Sequence, residues 1–117
     1  MIEPRLATQV RIDWLRRKMA EAGEFAVIIH RGDPVSGALL VLALEKGENP
    51  RLLERMPSLD GSADWQLAWH QDFVNKGKSD SLDAYIERRR LRDPDLWVIE
   101  LDTADHAQLD ALLTMTG

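Results

Sequence analysis

The sequence predicts an α+β domain in which one five-stranded, mostly antiparallel sheet (a meander plus one crossover strand) packs with three helices, in the order α-β-β-β-β-α-β-α. Three observations carry this. Residues 25–29 (FAVII) and 38–44 (ALLVLAL) are of strand length and apolar at successive positions, so both faces of each strand should be covered. Between them, residues 31–37 (RGDPVSG) hold two glycines suited to positive φ, an Asp-Pro turn start and no apolar pair. That is the chemistry of a hairpin with a longer loop, and it makes the two strands a central antiparallel pair. Residues 96–101 (LWVIEL) form another apolar run beyond a helical stretch, so this strand returns to the sheet by a crossover.

The remaining elements follow in chain order. After an irregular lead-in over residues 1–7, Thr8 can cap a helix that ends at Ala22, with Gly23 as its stop and Ile12, Leu15, Met19 and Ala22 as its apolar stripe. Residues 45–50 (EKGENP) read as a turn, residues 51–56 as a third strand, more polar and so nearer an edge, and residues 58–62 as the next turn. Residues 65–70 (WQLAWH) alternate, which puts Trp65, Leu67 and Trp69 on one face and Gln66, Ala68 and His70 on the other. A flexible stretch over residues 71–80 leads to a helix capped by Asp80 or Ser81. That helix turns Leu82, Tyr85 and Ile86 inward and stops before Asp93-Pro94, because the residue before a proline avoids the α region. Asp102 or Thr103 can cap a last helix bearing Leu109, Leu112 and Leu113.

Composition bounds the function. At 117 residues with 44% apolar content the chain is one domain, residues 1–117, large enough to bury a core. The absence of cysteine excludes disulfides, thiolate metal sites and cysteine nucleophiles, and is compatible with a reducing compartment. No run approaches a membrane span or a signal peptide, so the expectation is a soluble cytoplasmic protein with no membrane partner. Net charge is −5, and residues 93–117 hold six of the 20 acids but no Lys or Arg. The acidic balance argues against nucleic acid as a general partner, since non-specific binding scales with the phosphates neutralised.

No nucleophile elbow, Gly-rich phosphate loop or metal-spaced histidine pair is present, so no cofactor and no metal site are expected. His30 with Asp33 is the best acid–base pair on offer, weighed against a turn histidine beside an aspartate that caps its own turn. Arg88, Arg89, Arg90 and Arg92 form the densest charge cluster. They complement a helix C-terminus, and with Arg31 they are the candidate ligand-binding residues if a phosphate-bearing ligand is bound. On a helical wheel Arg89 falls on the stripe of Leu82, Tyr85 and Ile86, so it points inward and needs a partner, expected among the carboxylates of residues 93–105. Trp14 and Arg17 lie off the first helix's main stripe and are the candidate partner-binding pair, against the plainer reading of Trp14 as a packed aromatic.

Several pieces together resemble a small bacterial family catalogued as domain of unknown function 1491. They are Glu3-Pro4-Arg5-Leu6, Leu15-Arg16-Arg17 in a helix ending at Gly23, Arg31-Gly32-Asp33-Pro34, Leu53-Glu54-Arg55, and Arg88-Arg89-Arg90 followed by Asp93-Pro94-Asp95-Leu96-Trp97-Val98. The resemblance spans nearly the whole chain and implies a stand-alone single domain. It implies no activity, and so assigns no catalytic residue. Two function classes stand: a non-catalytic binding module that recognises a protein partner or a second copy of itself through Trp14 or an uncovered sheet face, and a phosphate-ligand or nucleic-acid binder, or an enzyme on such a ligand, using the arginines with His30 and Asp33. A homodimer is expected, because both faces of the central strands need covers that three short helices struggle to supply.

Overall fold

A computed structural model describes residues 7–57 and 63–115; the lead-in at 1–6 and the turn expected at 58–62 lie outside the described residues. Among these residues the elements are α1 (Thr8–Glu21), β1 (Phe25–His30), β2 (Leu39–Glu45), β3 (Glu48–Pro57), β4 (Ala63–His70), α2 (Gln71–Asn75), α3 (Leu82–Arg92), β5 (Trp97–Thr103) and α4 (His106–Met115). This is the expected element order, with one short extra helix, α2, inside the stretch expected to be flexible.

The sheet runs β1-β5-β2-β3-β4, antiparallel throughout except for the parallel β2–β5 pair. Here the central hairpin expectation is corrected: β5 inserts between β1 and β2. The reason is burial. A strand in a parallel pair is covered on both faces, and β2, buried at all of its first five positions, and β5, buried at five of seven, are the strands that satisfy this. β1 alternates between exposed and half-buried and takes one edge, while β3, expected nearer an edge because it is more polar, is interior, since β4 pairs along its other side.

Each face then builds its own core. On one side α1 (Ile12, Leu15, Met19) and α4 (Leu109, Leu113) pack on Leu39, Val41, Ala43, Leu53, Trp97, Ile99 and Leu101. On the other, Leu82, Tyr85 and Ile86 of α3 close over Leu40, Leu42, Leu52, Trp69, Leu96 and Val98. The tryptophans of β4 are split between these cores, against the alternation that placed them together. Leu52 pairs with Trp69 and Leu53 with Leu67, so Ala68 is a bulge residue and reverses the faces beyond it. Trp65 packs against the first core and donates Nε1 to Leu113 O at 3.0 Å; Trp69 enters the second and donates to Asp80 O at 2.8 Å.

Helix ends follow local chemistry. Ser81 caps α3 by accepting from the Ala84 amide, and the helix stops at Arg92, before Asp93-Pro94. Gly23 at φ +71 ends α1, but Ala7 is the N-cap residue and Thr8 instead donates Oγ1 to Gly37 O at 2.6 Å, tying the helix to the 31–38 loop. Neither Asp102 nor Thr103 caps α4; Asp105 Oδ1 accepts from the Gln108 amide. Gly32 and Gly37 are not at positive φ. They are needed because the loop that carries the chain from β1 over the start of β5 lies against the Asp95 backbone, with Asp33 N bonded to Asp95 O at 3.0 Å.

Candidate functional site

Asp33 and His30 are not assembled into a catalytic pair. Asp33 Oδ2 accepts from the amides of Val35 (3.1 Å) and Ser36 (2.8 Å) and from the Ser36 hydroxyl (3.1 Å), which makes it the cap of its own turn. The Ser36 amide, then its hydroxyl, hold this carboxyl below the usual aspartate range, so it stays ionised at neutral pH and is a poor proton acceptor there. Its carbonyl accepts from Trp97 Nε1 at 2.7 Å. His30 lies past a bulge at Ile29, which turns it toward the end of α3, where it lines a cavity of about 170 Å³ with Glu87, Arg90, Leu91 and Pro94. Among the described residues no hydrogen bond joins it to Asp33, and no three His, Asp or Glu side chains gather closely enough to hold a metal ion.

The arginines face different acids instead of one pocket. Arg88 pairs with Asp80, Arg90 lies 3.9 Å from Glu87, and Arg92 is exposed. Arg31 sits over the Trp97 ring at 5.9 Å. Arg89 does point inward, as its wheel position requires, but its partner is Glu54 of β3, not a carboxylate of residues 93–105. The guanidinium makes a two-pronged contact at 2.5 and 3.3 Å and a third bond to Tyr85 Oη at 3.0 Å. Glu54 follows Leu52 on the same strand face, so α3 lies directly above it. The bonds to Glu54, outweighing desolvation, hold Arg89 more firmly protonated than a free arginine.

This arrangement sets an order of tolerance. Arg89→Ala should cost about 1–3 kcal/mol, the range for losing a charge-assisted bond and leaving Glu54 half-buried without it. Arg88→Ala and Arg90→Ala break pairs with largely exposed acids and should each stay within about 0.5 kcal/mol. Urea denaturation of the three variants checks this; equal losses in all three would remove the special role of Arg89.

Trp14 is half-buried, packed against the first core, with Lys18 Nζ 5.8 Å from its ring centroid. Arg17 is exposed beside a groove of about 470 Å³ formed with Asp13, Arg16, Glu24, Phe25 and Ala26, where α1 meets the start of β1.

That groove opens onto the outer face of β1, an uncovered sheet face whose place the sequence did not locate. Among the described residues β1 pairs only with β5, and no strand lies along its other edge. Ala26 and Ile28 pack on the first core, whereas Phe25, Val27 and Ile29 are 72%, 51% and 44% exposed. Both faces of this strand were expected to be covered; one is not, because α3 reaches the centre of the sheet but not the outer part of β1. Residues 25–30 contain no Lys, Pro or Gly, the residues that commonly protect an edge strand, and their one irregularity is the bulge at Ile29. Charge is confined to the ends, with Glu24 before the strand and Arg31 after it. Among the described residues, Glu24 Oε2 is buried without a hydrogen-bond partner. With five apolar residues in a row, periodicity held no signal of a wet face.

Residues 6–110 match the family model described as a protein of unknown function, DUF1491. Two solved structures of a DUF1491 family protein from Caulobacter crescentus CB15 are similar. The crystal structure is 33% identical, with 86% of this chain and 91% of that chain covered and a TM-score of 0.71. The NMR structure is 32% identical, with 86% and 87% covered and a TM-score of 0.67. The solution structure of protein Atu0922 from A. tumefaciens, 24% identical over 86% of this chain and 88% of that one, shares the fold at a TM-score of 0.65. No curated protein gives a match.

Proposed function

Because the chain belongs to the DUF1491 family, whose description assigns no activity, we propose a function from its geometry: it is a non-catalytic interaction module that takes an extended protein segment as an added strand on β1. The observation that carries this reading is the largely apolar edge strand β1, whose outer edge has no strand partner among the described residues and whose Phe25, Val27 and Ile29 lie in solvent. An edge of this kind presents unpaired backbone groups for strand addition, and alternate side chains supply selectivity. Exposed apolar patches on soluble proteins mark binding surfaces. A cytoplasmic location belongs to the same proposal and fits a chain without cysteine, in which no helix among the described residues is long and apolar enough to cross a membrane.

The competing phosphate or nucleic-acid reading has less support, since Arg88, Arg89 and Arg90 each face a carboxylate of the chain itself. Titrating isotopically labelled protein with extended peptides of alternating apolar residues tests the proposal. Amide shifts should concentrate on residues 24–31 and leave the arginine-bearing helix unmoved. Binding of single-stranded nucleic acid that weakens steeply with salt, with shifts on residues 88–92, would overturn it.

A further inference from the structure

Resting on that reading of β1, we infer that the added strand is β1 of a second copy of this chain, paired antiparallel across a two-fold axis at Val27, so that two five-stranded sheets join into one of ten. Self-complementarity of the segment points to this occupant. Antiparallel pairing about Val27 sets Phe25 of each copy beside Ile29 of the other, so the three exposed apolar side chains of one strand meet the same three of the second.

The same register brings opposite ends of the two strands together. Glu24 stands at the start of β1, and His30 and Arg31 stand at its finish. Each Glu24 therefore lies near the second copy's Arg31, twice per dimer, while the bulge at Ile29 turns His30 to the other face. A parallel pairing would instead set Glu24 against Glu24 and Arg31 against Arg31. The buried Glu24 Oε2, which has no donor among the described residues, gains one in this arrangement. The groove beside it is no obstacle to charge matching, because its Arg16 and Arg17 are offset by Asp13 and Glu24. Isologous contacts of this form are the ordinary route to a two-fold dimer.

Sedimentation equilibrium of the full chain across the micromolar range provides the test. The native chain should sediment at twice its own mass. Val27→Lys sets two ammonium groups face to face on the axis and removes the apolar contact between the two valines, and the two changes together should weaken the dimer about tenfold or more. Glu24→Arg should weaken it as well, and adding Arg31→Glu to the same chain should restore it, an outcome that mere damage to folding cannot produce. Val27→Cys should form a disulfide-linked dimer on mild oxidation far faster than Ala104→Cys, an exposed control outside the strand. A dimer indifferent to all of these changes would overturn the inference by placing the contact elsewhere. A monomer at every concentration would also overturn it. If that monomer still takes a peptide of residues 24–31 onto β1, strand addition stands and only the second copy is wrong; if it takes none of the extended peptides, both fail.

Discussion

Gly32→Ala should destabilise the fold by about 3–5 kcal/mol, the sum of an overpacking cost and the hydrogen bonds that a shifted loop would lose. A Cβ at this position would lie inside van der Waals contact with the Asp95 carbonyl oxygen and crowd the carbonyl carbons of Asp95 and Leu96, all of them backbone atoms at the start of β5. The loop cannot lift away freely. It is held by Asp33 N to Asp95 O at 3.0 Å, by Trp97 Nε1 to Asp33 O at 2.7 Å and by Thr8 Oγ1 to Gly37 O at 2.6 Å. Gly23→Ala is the control: it has open space around it and only the strain of φ +71, so it should cost about 1 kcal/mol. Chemical denaturation of both variants decides the matter. A Gly32→Ala loss no larger than that of Gly23→Ala would mean that the crossing of the loop over β5 is not close-packed.

Leu42→Ala should cost about 2–5 kcal/mol, the range for truncating a buried leucine where the surroundings collapse only in part. Leu42 sits in the middle of β2, pairing with Leu52 on one side and Glu100 on the other, and packs with Leu40, Trp69 and Val98 beneath α3. Two strand neighbours and a helix above leave little freedom to fill the void. By contrast Val27→Ala, on the open face of β1, should fall within about 0.5 kcal/mol in the monomer. A similar loss at both positions would put the two strands in equivalent surroundings, contrary to the edge position of β1.

The sequence by itself determined much of what depends on neighbours along the chain, though not the caps of α1 and α4 or the backbone of Gly32 and Gly37. The element order, the apolar stripe of α1, the stop at Gly23, the Ser81 cap, the end of α3 before Asp93-Pro94 and the inward aim of Arg89 are all consequences of helical or strand periods and local hydrogen bonding. Tertiary structure alone decided how those elements compete for place. Two runs without a polar residue, 25–29 and 38–44, look alike in sequence. The strand order nevertheless sends one to the edge and the other to the centre, because β5 supplies a better-buried partner for β2 than β1 does. A single bulge at Ala68 sends Trp65 and Trp69 to opposite cores, since one extra residue reverses every side chain beyond it. Arg89 found Glu54, 35 positions away, because α3 crosses β3, a neighbour that no spacing encodes. The exposed face of β1 was hidden for the same reason: composition records that a strand is apolar, and only the reach of the covering helix determines which of its faces remains in water.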